Sequence, residues 1–298
     1  MVLSIIICTY NRVSFLKLCL NSILNQIKKD HNIEIIVIDN NSTDETKKYV
    51  EGLDIKYIKY HIEKKQGLSF ARNRGIEVAL GRYLAFVDDD AIINSNWLDS
   101  LLDELKKDLK NHIYGGPIYP KFEIECPKWI DQKYFIRKFK SKDGYLDQLT
   151  AQDGFSGGNM CISKETFTHV GHFNTNLGMK GDKMGLGEES ELFFRILNKI
   201  KNIRLYNIEN MSITHFEAKF KLKRTYLKER ITLSSIQFTT RLLTNQDKKS
   251  KLLIYGKLLK QIINFKINLL LSMFITKRKF KYLKNYWIIT GILKTTLK

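Results

Sequence analysis

The chain has 298 residues, 43% of them hydrophobic, and carries 50 Lys and Arg against 31 Asp and Glu for a formal net charge of +19. The excess is local: Lys219–Lys298 holds 20 basic residues against Glu229 and Asp247, whereas the preceding 218 residues hold 30 basic and 29 acidic ones. Cys8, Cys19, Cys126 and Cys161 have no metal-like spacing, which excludes a cysteine zinc site and leaves the reduced thiols of a cytosolic protein.

In chain order, the apolar run Val2–Cys8 reads as a strand followed by the polar loop Thr9–Arg12. Phe15, Leu16, Leu18, Cys19, Ser22, Ile23 and Ile27 then recur at helical spacing, and a second strand, Ile33–Ile38, ends in the loop Asp39–Asp44. Ser42 or Thr43 is the expected N-cap of a helix through Tyr49. A third strand, Ile55–Tyr60, precedes the segment Gln66–Gly75, after which a helix leads into the β-rich run Arg82–Val87. That run stops at three consecutive carboxylates, Asp88, Asp89 and Asp90. The alternation predicts an α/β fold with a mostly parallel sheet whose loops Thr9–Arg12, Asp39–Asp44 and Asp88–Asp90 share one edge. Thr9, Asp39, Arg72 and Asp88 then meet around one crevice, with hydrogen-bonding groups for a base and a ribose. Adjacent carboxylates repel one another, and an apolar neighbourhood raises the cost of keeping them charged. A divalent cation, Mg²⁺ or Mn²⁺, resolves that conflict and also holds substrate phosphates.

Pro117, Pro120 and Pro127 cluster after this point and mark an irregular connection. Its aromatic residues Trp129 and Tyr134 are candidates for stacking on the ring of a bound ligand or for ordinary core packing. Gly157 and Gly158, ahead of the strand Met160–Ile162, let backbone approach a ligand closely. Gly171–Gly187 holds five glycines in 17 residues and suits a mobile loop that closes over a site. Glu188, Glu189 and Glu191 open an amphipathic helix, where the helix dipole favours negative charge. His215 follows a short apolar stretch.

Five segments, SIIICTYNR, IIVIDNNSTD, GLSFARNRGIEVALGRYLAFVDDD, FSGGNMCISKETF and LGEESELFFRI, stand in an order and at a spacing that resemble the family 2 glycosyltransferases over about residues 1–215. The resemblance implies a GT-A, Rossmann-like nucleotide-sugar-binding fold. It also implies inverting transfer of a sugar from a nucleotide-diphosphate sugar, with a UDP-linked donor expected, to a saccharide or lipid-linked saccharide in surface polysaccharide or glycan synthesis. Carried over by position, Thr9 and Asp39 hold the nucleoside, with Asn11 and Arg12 in the same donor site, and Arg72 lies near the base or the phosphates. Asp88 approaches the ribose with Asp89 beside it, and Gly157, Gly158 and Asn159 complete the donor-binding set. Asp90 coordinates the metal, Mn²⁺ or Mg²⁺, and His215 matches the late histidine that many GT-A enzymes add to it. Inverting transfer needs a base for the acceptor hydroxyl. By motif position that base resembles Glu189, where many relatives carry Asp, and Glu188 stays open as the alternative.

The catalytic domain is expected over residues 1–218 and a basic α-helical region over residues 219–298. Within the latter, Leu252–Ile275 shows a wide apolar arc with a narrow polar strip, which must be buried against protein or lie in a membrane interface. Its longest uncharged run, Ile267–Thr276, is well short of the roughly 20 residues a span needs. Lys277–Lys281, with Tyr282, Tyr286 and Trp287 following, suits an anionic membrane surface better than nucleic acid. No basic leader precedes the first strand, so the expected location is cytoplasmic, peripheral on the inner face of the cell membrane. A nucleotidyltransferase, or a non-catalytic carbohydrate- or membrane-binding relative, is the alternative reading.

Overall fold

In a computed structural model, which describes residues 2–109, 112–139, 143–146, 154–244 and 279–296, the first two apolar runs form β1 (Leu3–Thr9) and β2 (Ile33–Asp39). Every residue of β2 and all but one of β1 are buried, as expected for strands covered on both faces. β1 pairs in parallel with β2 and with β4 (Tyr83–Asp88), and β2 pairs in parallel with β3 (Ile58–Ile62). The sheet continues through β9 (Asn159–Ser163), antiparallel to β4, then β6 (His112–Gly115), β10 (Arg204–Asn207) and β8 (Gly144–Tyr145), in the order β3-β2-β1-β4-β9-β6-β10-β8.

Alternation along the strands divides the core. Leu3, Ile5 and Ile7 join Ile35, Val37, Ala85 and Val87 against helices α1 (Val13–Leu24) and α4 (Trp97–Lys106). Ile6, Ile36, Ile38, Leu84 and Phe86 face the other way, against α3 (Leu68–Val78) and the helices Lys164–Val170 and Glu188–Lys199. A smaller sheet, ordered β5-β11-β7, is made of β5 (Ala91–Ile93), β11 (Ile213–Glu217) and β7 (Ile118–Phe122).

Four local expectations change. The helix α2 is Thr46–Glu51, because Ser42 and Thr43 bond to Asn11 while the Asp44 carboxylate accepts from the Thr46 backbone and hydroxyl. The third strand begins at Ile58 rather than Ile55. The segment ahead of Gly75 is itself α3, which puts Arg72 on a helix. Pro120 lies inside β7, where an edge strand tolerates a missing donor.

The chain's contacts define two units: Met1–Lys121 with Phe135–Lys183 and Glu188–Phe216, and Phe122–Tyr134 with Met184–Gly187 and Glu217–Lys298. The expected boundary after residue 218 lies near the last of these cuts, and two short internal segments join the basic region's unit. In that second unit the helix Arg224–Thr244 packs on the helix Lys279–Thr296, where Trp287 is 2% exposed and Tyr286 51%. Trp287 is therefore a packing residue and not an interfacial aromatic. Trp129 and Tyr134, candidates for an acceptor platform, give their rings to Phe280 at 6.0 and 5.4 Å, and Lys284 lies over Tyr134. The arc Leu252–Ile275 and the residues Lys277 and Arg278 lie outside the described residues. Among the described residues no helix is long and apolar enough to cross a membrane.

Candidate active site

The parallel register decides what meets at the sheet edge: Thr9 stands opposite Asp39, and Cys8 opposite Asp88. β4 ends at Asp88 and β5 starts at Ala91, so Asp89 and Asp90 form the turn between two strands. β11 runs antiparallel to β5 with His215 opposite Ala91, and the Phe216 N–H donates to the Asp90 carbonyl at 2.9 Å. That pairing delivers His215 Nε2 to 3.1 Å from Asp90 Oδ1. Asp88, Asp90 and His215 each offer one ligand atom, all within 4.8 Å of one another. Two carboxylate oxygens and an imidazole suit Mn²⁺ or Mg²⁺. The structure thus brings Asp88 beside Asp90 and His215, the two residues expected to hold a metal.

Asp89 is the structural member of the triplet. Its carboxylate accepts from the Thr9 hydroxyl at 2.7 Å and from Arg12 Nη1 at 3.3 Å, and the same Nη1 reaches Asp90 at 3.1 Å. Burial pushes the Asp89 carboxyl up to about 7 against the pull of Arg12, with Asp90 adding to the rise. Arg12 on Asp89 and Asp90, and Arg72 on Asp88, leave these three carboxylates short of positive charge.

Of the donor-side residues, Asp39 is 2% exposed and accepts from the Tyr60 hydroxyl at 2.6 Å and the Ser42 N–H at 2.7 Å. Asn11, at φ 52°, spends its side-chain oxygen on the Thr43 N–H at 2.7 Å. It joins the β1 and β2 loops. Asn159 differs most from expectation: it is 0% exposed, takes the Trp97 indole N–H at 2.9 Å and donates to the Met211 carbonyl at 2.7 Å. Its amide is committed to the interior and ties α4 to the chain ahead of β11.

The two glycines before it bring their backbone against side chains of the site. A Cβ built on Gly158 would fall 2.1 Å from Asp88 Oδ2, and one on Gly157 would fall 2.4 Å from Arg72 Nη2 and 2.5 Å from Glu189 Oε1. Any other residue at either position would have to displace these side chains.

Arg72, 2% exposed, sits between the two halves of the site. Its Nη1 lies 3.2 Å from Glu188 Oε1 and 3.3 Å from Glu189 Oε1, and its Nη2 lies 3.4 Å from Asp88 Oδ1. Glu188 is 5% exposed at its side chain and Glu189 25%. Burial, then the neighbouring charge of Glu189, raises the Glu188 carboxyl to about 8. For Glu189 burial acts upward too, yet Arg72 and backbone hydrogen bonding outweigh it and hold the group below the usual glutamate range.

Sequence reasoning missed what fixes the Gly-rich segment. Along α3 the Leu68 N–H donates to the Met179 carbonyl at 2.8 Å and the Ser69 hydroxyl to the Leu177 carbonyl at 2.8 Å. Asn73 exchanges two hydrogen bonds with the Phe173 backbone. A Cβ on Gly178, at φ 87°, would lie 3.1 Å from Glu188 Cδ, so this segment closes down on Glu188. The first part of the expected mobile loop is therefore anchored on α3. The signal was present as Ser69 and Asn73, four residues apart and so on one face of a helix.

The model of "Glycosyl transferase family 2" matches residues 4–170. The chain is 25% identical over 210 residues to the glucosyl-dolichyl phosphate glucuronosyltransferase of Haloferax volcanii, covering 70% of this chain and 67% of that one. It is 28% identical over 232 residues to the GalNAc(5)-diNAcBac-PP-undecaprenol beta-1,3-glucosyltransferase of Campylobacter jejuni, covering 76% and 72%. In structure it is similar to the mannosyltransferase PcManGT from Pyrobaculum calidifontis in complex with GDP-Man and Mn²⁺. The TM-score is 0.64 at 14% identity, covering 99% of this chain and 86% of that one, a likeness of fold alone. With a mixed α/β sheet of the GT-A kind and a family match over more than half its length, the chain belongs to glycosyl transferase family 2 and is a glycosyltransferase.

Proposed function

We propose that the protein is a metal-dependent, inverting glycosyltransferase that moves a sugar from a nucleotide-diphosphate sugar, UDP-linked, to a saccharide carried on a lipid. The observation that carries this reading is the meeting, at one sheet edge, of Asp88, Asp90 and His215 with a base pair, Glu188 and Glu189, bound to the same arginine as Asp88. The names of the two curated relatives, one a dolichyl phosphate enzyme and one an undecaprenol enzyme, support a lipid-linked acceptor. The family match favours sugar transfer over nucleotidyl transfer.

Thr9 and Asp39, which the register aligns at the ends of β1 and β2, would hold the donor's nucleoside. Asp88, Asp90 and His215 would hold Mn²⁺ or Mg²⁺, which when bound neutralises charge on the departing diphosphate. Glu189 is the base: it is held ionised and its side chain is five times as exposed as that of Glu188. Its carboxylate takes the acceptor hydroxyl proton as that oxygen bonds to the anomeric carbon. The bond from that carbon to the diphosphate breaks, and its electron pair leaves with the nucleotide.

The basic second unit is assigned to an anionic membrane surface on the cytoplasmic side, with Lys219, Lys223, Arg224 and Lys228 exposed beside the exposed ring of Phe220. The function is tested with a panel of UDP- and GDP-sugars, each with Mn²⁺, with Mg²⁺ and with EDTA, scored by donor hydrolysis and by transfer to a polyprenyl-linked saccharide. Metal-dependent turnover of one donor is expected. Full activity in EDTA would overturn the metal assignment, and turnover of none of the donors the sugar-transfer reading.

A further inference from the structure

A single guanidinium faces three carboxylates from two elements: Glu188 and Glu189 at the start of their helix, and Asp88 at the end of β4. None of the three distances, 3.2, 3.3 and 3.4 Å, is that of a tight paired fork, so Arg72 is shared among them. It is also enclosed. The Phe173 ring lies 5.4 Å from its guanidinium carbon, and a Cβ on Gly157 would fall 2.4 Å from Arg72 Nη2, so a side chain there would have to displace the guanidinium.

We propose that Arg72 is a positioning residue that holds Glu189 in place as the base and fixes it relative to Asp88 on the donor side, rather than a residue that contacts the nucleotide sugar. This rests on the assignment of Glu189 as base. The groups facing the glutamate pair are Arg72 from α3, Asp88 from β4 beyond it, and Arg137, which adds a weaker pull on Glu189. Cys8 of β1 faces Arg72 as a neutral thiol, pushed by burial up to about 12. One buried positive charge cannot balance three carboxylates, so the pair divides its roles. Glu188, whose Oε2 is buried without a hydrogen-bond partner, takes the proton, and Glu189 keeps its charge. A lysine here supplies one point charge without the planar fork, and cannot span all three oxygens.

The test is a carboxyl titration of the full chain labelled with [δ-¹³C]glutamate, in wild type and Arg72→Lys, with Glu188→Gln and Glu189→Gln for assignment. Wild type should show one of the two resonances titrating above the ordinary glutamate range and the other below it. In Arg72→Lys the low one should rise by about one pH unit or more. Turnover gives a second readout: Arg72→Lys should lose kcat roughly 10²-fold with its acidic limb moved up, while donor KM stays within about threefold. An unchanged Glu189 titration in folded Arg72→Lys overturns the proposal. So does a raised donor KM with kcat kept, which would make Arg72 a donor contact. If Arg72→Lys does not fold, Glu188→Gln decides: Glu188 is already neutral where Glu189 titrates, so Glu189 should stay below the ordinary glutamate range under the pull of Arg72, and a rise into that range would show that Glu188 rather than Arg72 holds it and overturns the proposal. The titration needs no substrate, so failure to turn over any nucleotide sugar counts against the proposed function and leaves this result standing.

Discussion

Replacing Asn159 with alanine separates a residue that binds donor from one that holds the interior together. The amide joins the Trp97 indole N–H, at 2.9 Å, to the Met211 carbonyl, at 2.7 Å, with a longer bond of 3.4 Å to the Pro117 carbonyl. Pro117 keeps a partner in the variant, because its oxygen also accepts from the Ile213 N–H at 3.0 Å. The Trp97 donor and the Met211 acceptor lose the bonds they make to Asn159. At about 1–3 kcal/mol for each buried group left unsatisfied, Asn159→Ala should cost roughly 2–5 kcal/mol. For a domain of this size that lowers the melting temperature by on the order of 10 °C. Urea unfolding should show the loss in the midpoint with the slope unchanged, and donor KM should stay within about twofold. Asn159→Asp should be at least as damaging, since it sets a carboxylate against the Met211 carbonyl in a site with 0% exposure. Unchanged melting with a tenfold or greater rise in donor KM would refute the interior role and return Asn159 to the donor site.

Glu189→Gln should keep donor affinity and lose transfer by roughly 10²-fold or more, with Glu188→Gln milder; reversed effects would make Glu188 the base. Because the Glu188 carboxyl is raised to about 8 in the fold, its contribution to stability is present at low pH and is lost as pH rises toward and through that value. Glu188→Gln should flatten this decline in a series of melts between pH 5 and about 9. Full-length protein should co-sediment with anionic vesicles at low salt, and changing Lys223, Arg224 and Lys228 to Glu should release it, since each basic residue near the surface is worth about 1 kcal/mol. Binding that ignores the charge reversal would sink the membrane assignment. Deleting the tail is a poorer test, because it strips Phe280 from Trp129 and Tyr134.

The strands that carry the site were legible because a strand buried on both faces reads as an unbroken apolar run, and parallel pairing then aligns their ends. Thr9, Asp39 and Asp88 follow from that alone. α3 was not legible as a helix. The residues it buries are Ser69, Ala71, Arg72, Gly75 and Ile76, so only Ala71 and Ile76 carry the apolar signal that periodicity should reveal on the inward face. Its disguise is the consequence of its task, since the buried polar residues are the ones that serve the glutamates and the Gly-rich segment. Asn159 misled in the opposite direction, as a polar residue at the site's edge that bonds entirely inward. Pro120 marked an irregular connection by residue type, yet an edge strand accepts it. Trp287 carried the composition of an interfacial aromatic and is buried between two helices.

Charge at the end of β4 gives the metal assignment a test that needs no substrate. Asp88, Asp89 and Asp90 stand together with Arg12 as the near cation, because Arg72 is shared with the two glutamates. Two like charges about 4 Å apart repel by roughly 4 kcal/mol at the effective dielectric near a protein surface. The same repulsion that strains the metal-free fold becomes affinity for a dication. Binding to the native state alone should stabilise it by about 2.7 kcal/mol at a hundredfold excess over Kd, a rise in melting temperature of several degrees. Asp90→Asn removes one of the crowded charges together with a ligand to the ion. It should melt no lower than wild type without metal, and it should lose the rise with Mn²⁺. Ordinary destabilisation would lower the metal-free melting temperature instead, so the two effects have opposite signs. A full Mn²⁺ shift in Asp90→Asn would place the ion elsewhere, and the absence of any shift in wild type would remove the metal from Asp88, Asp90 and His215.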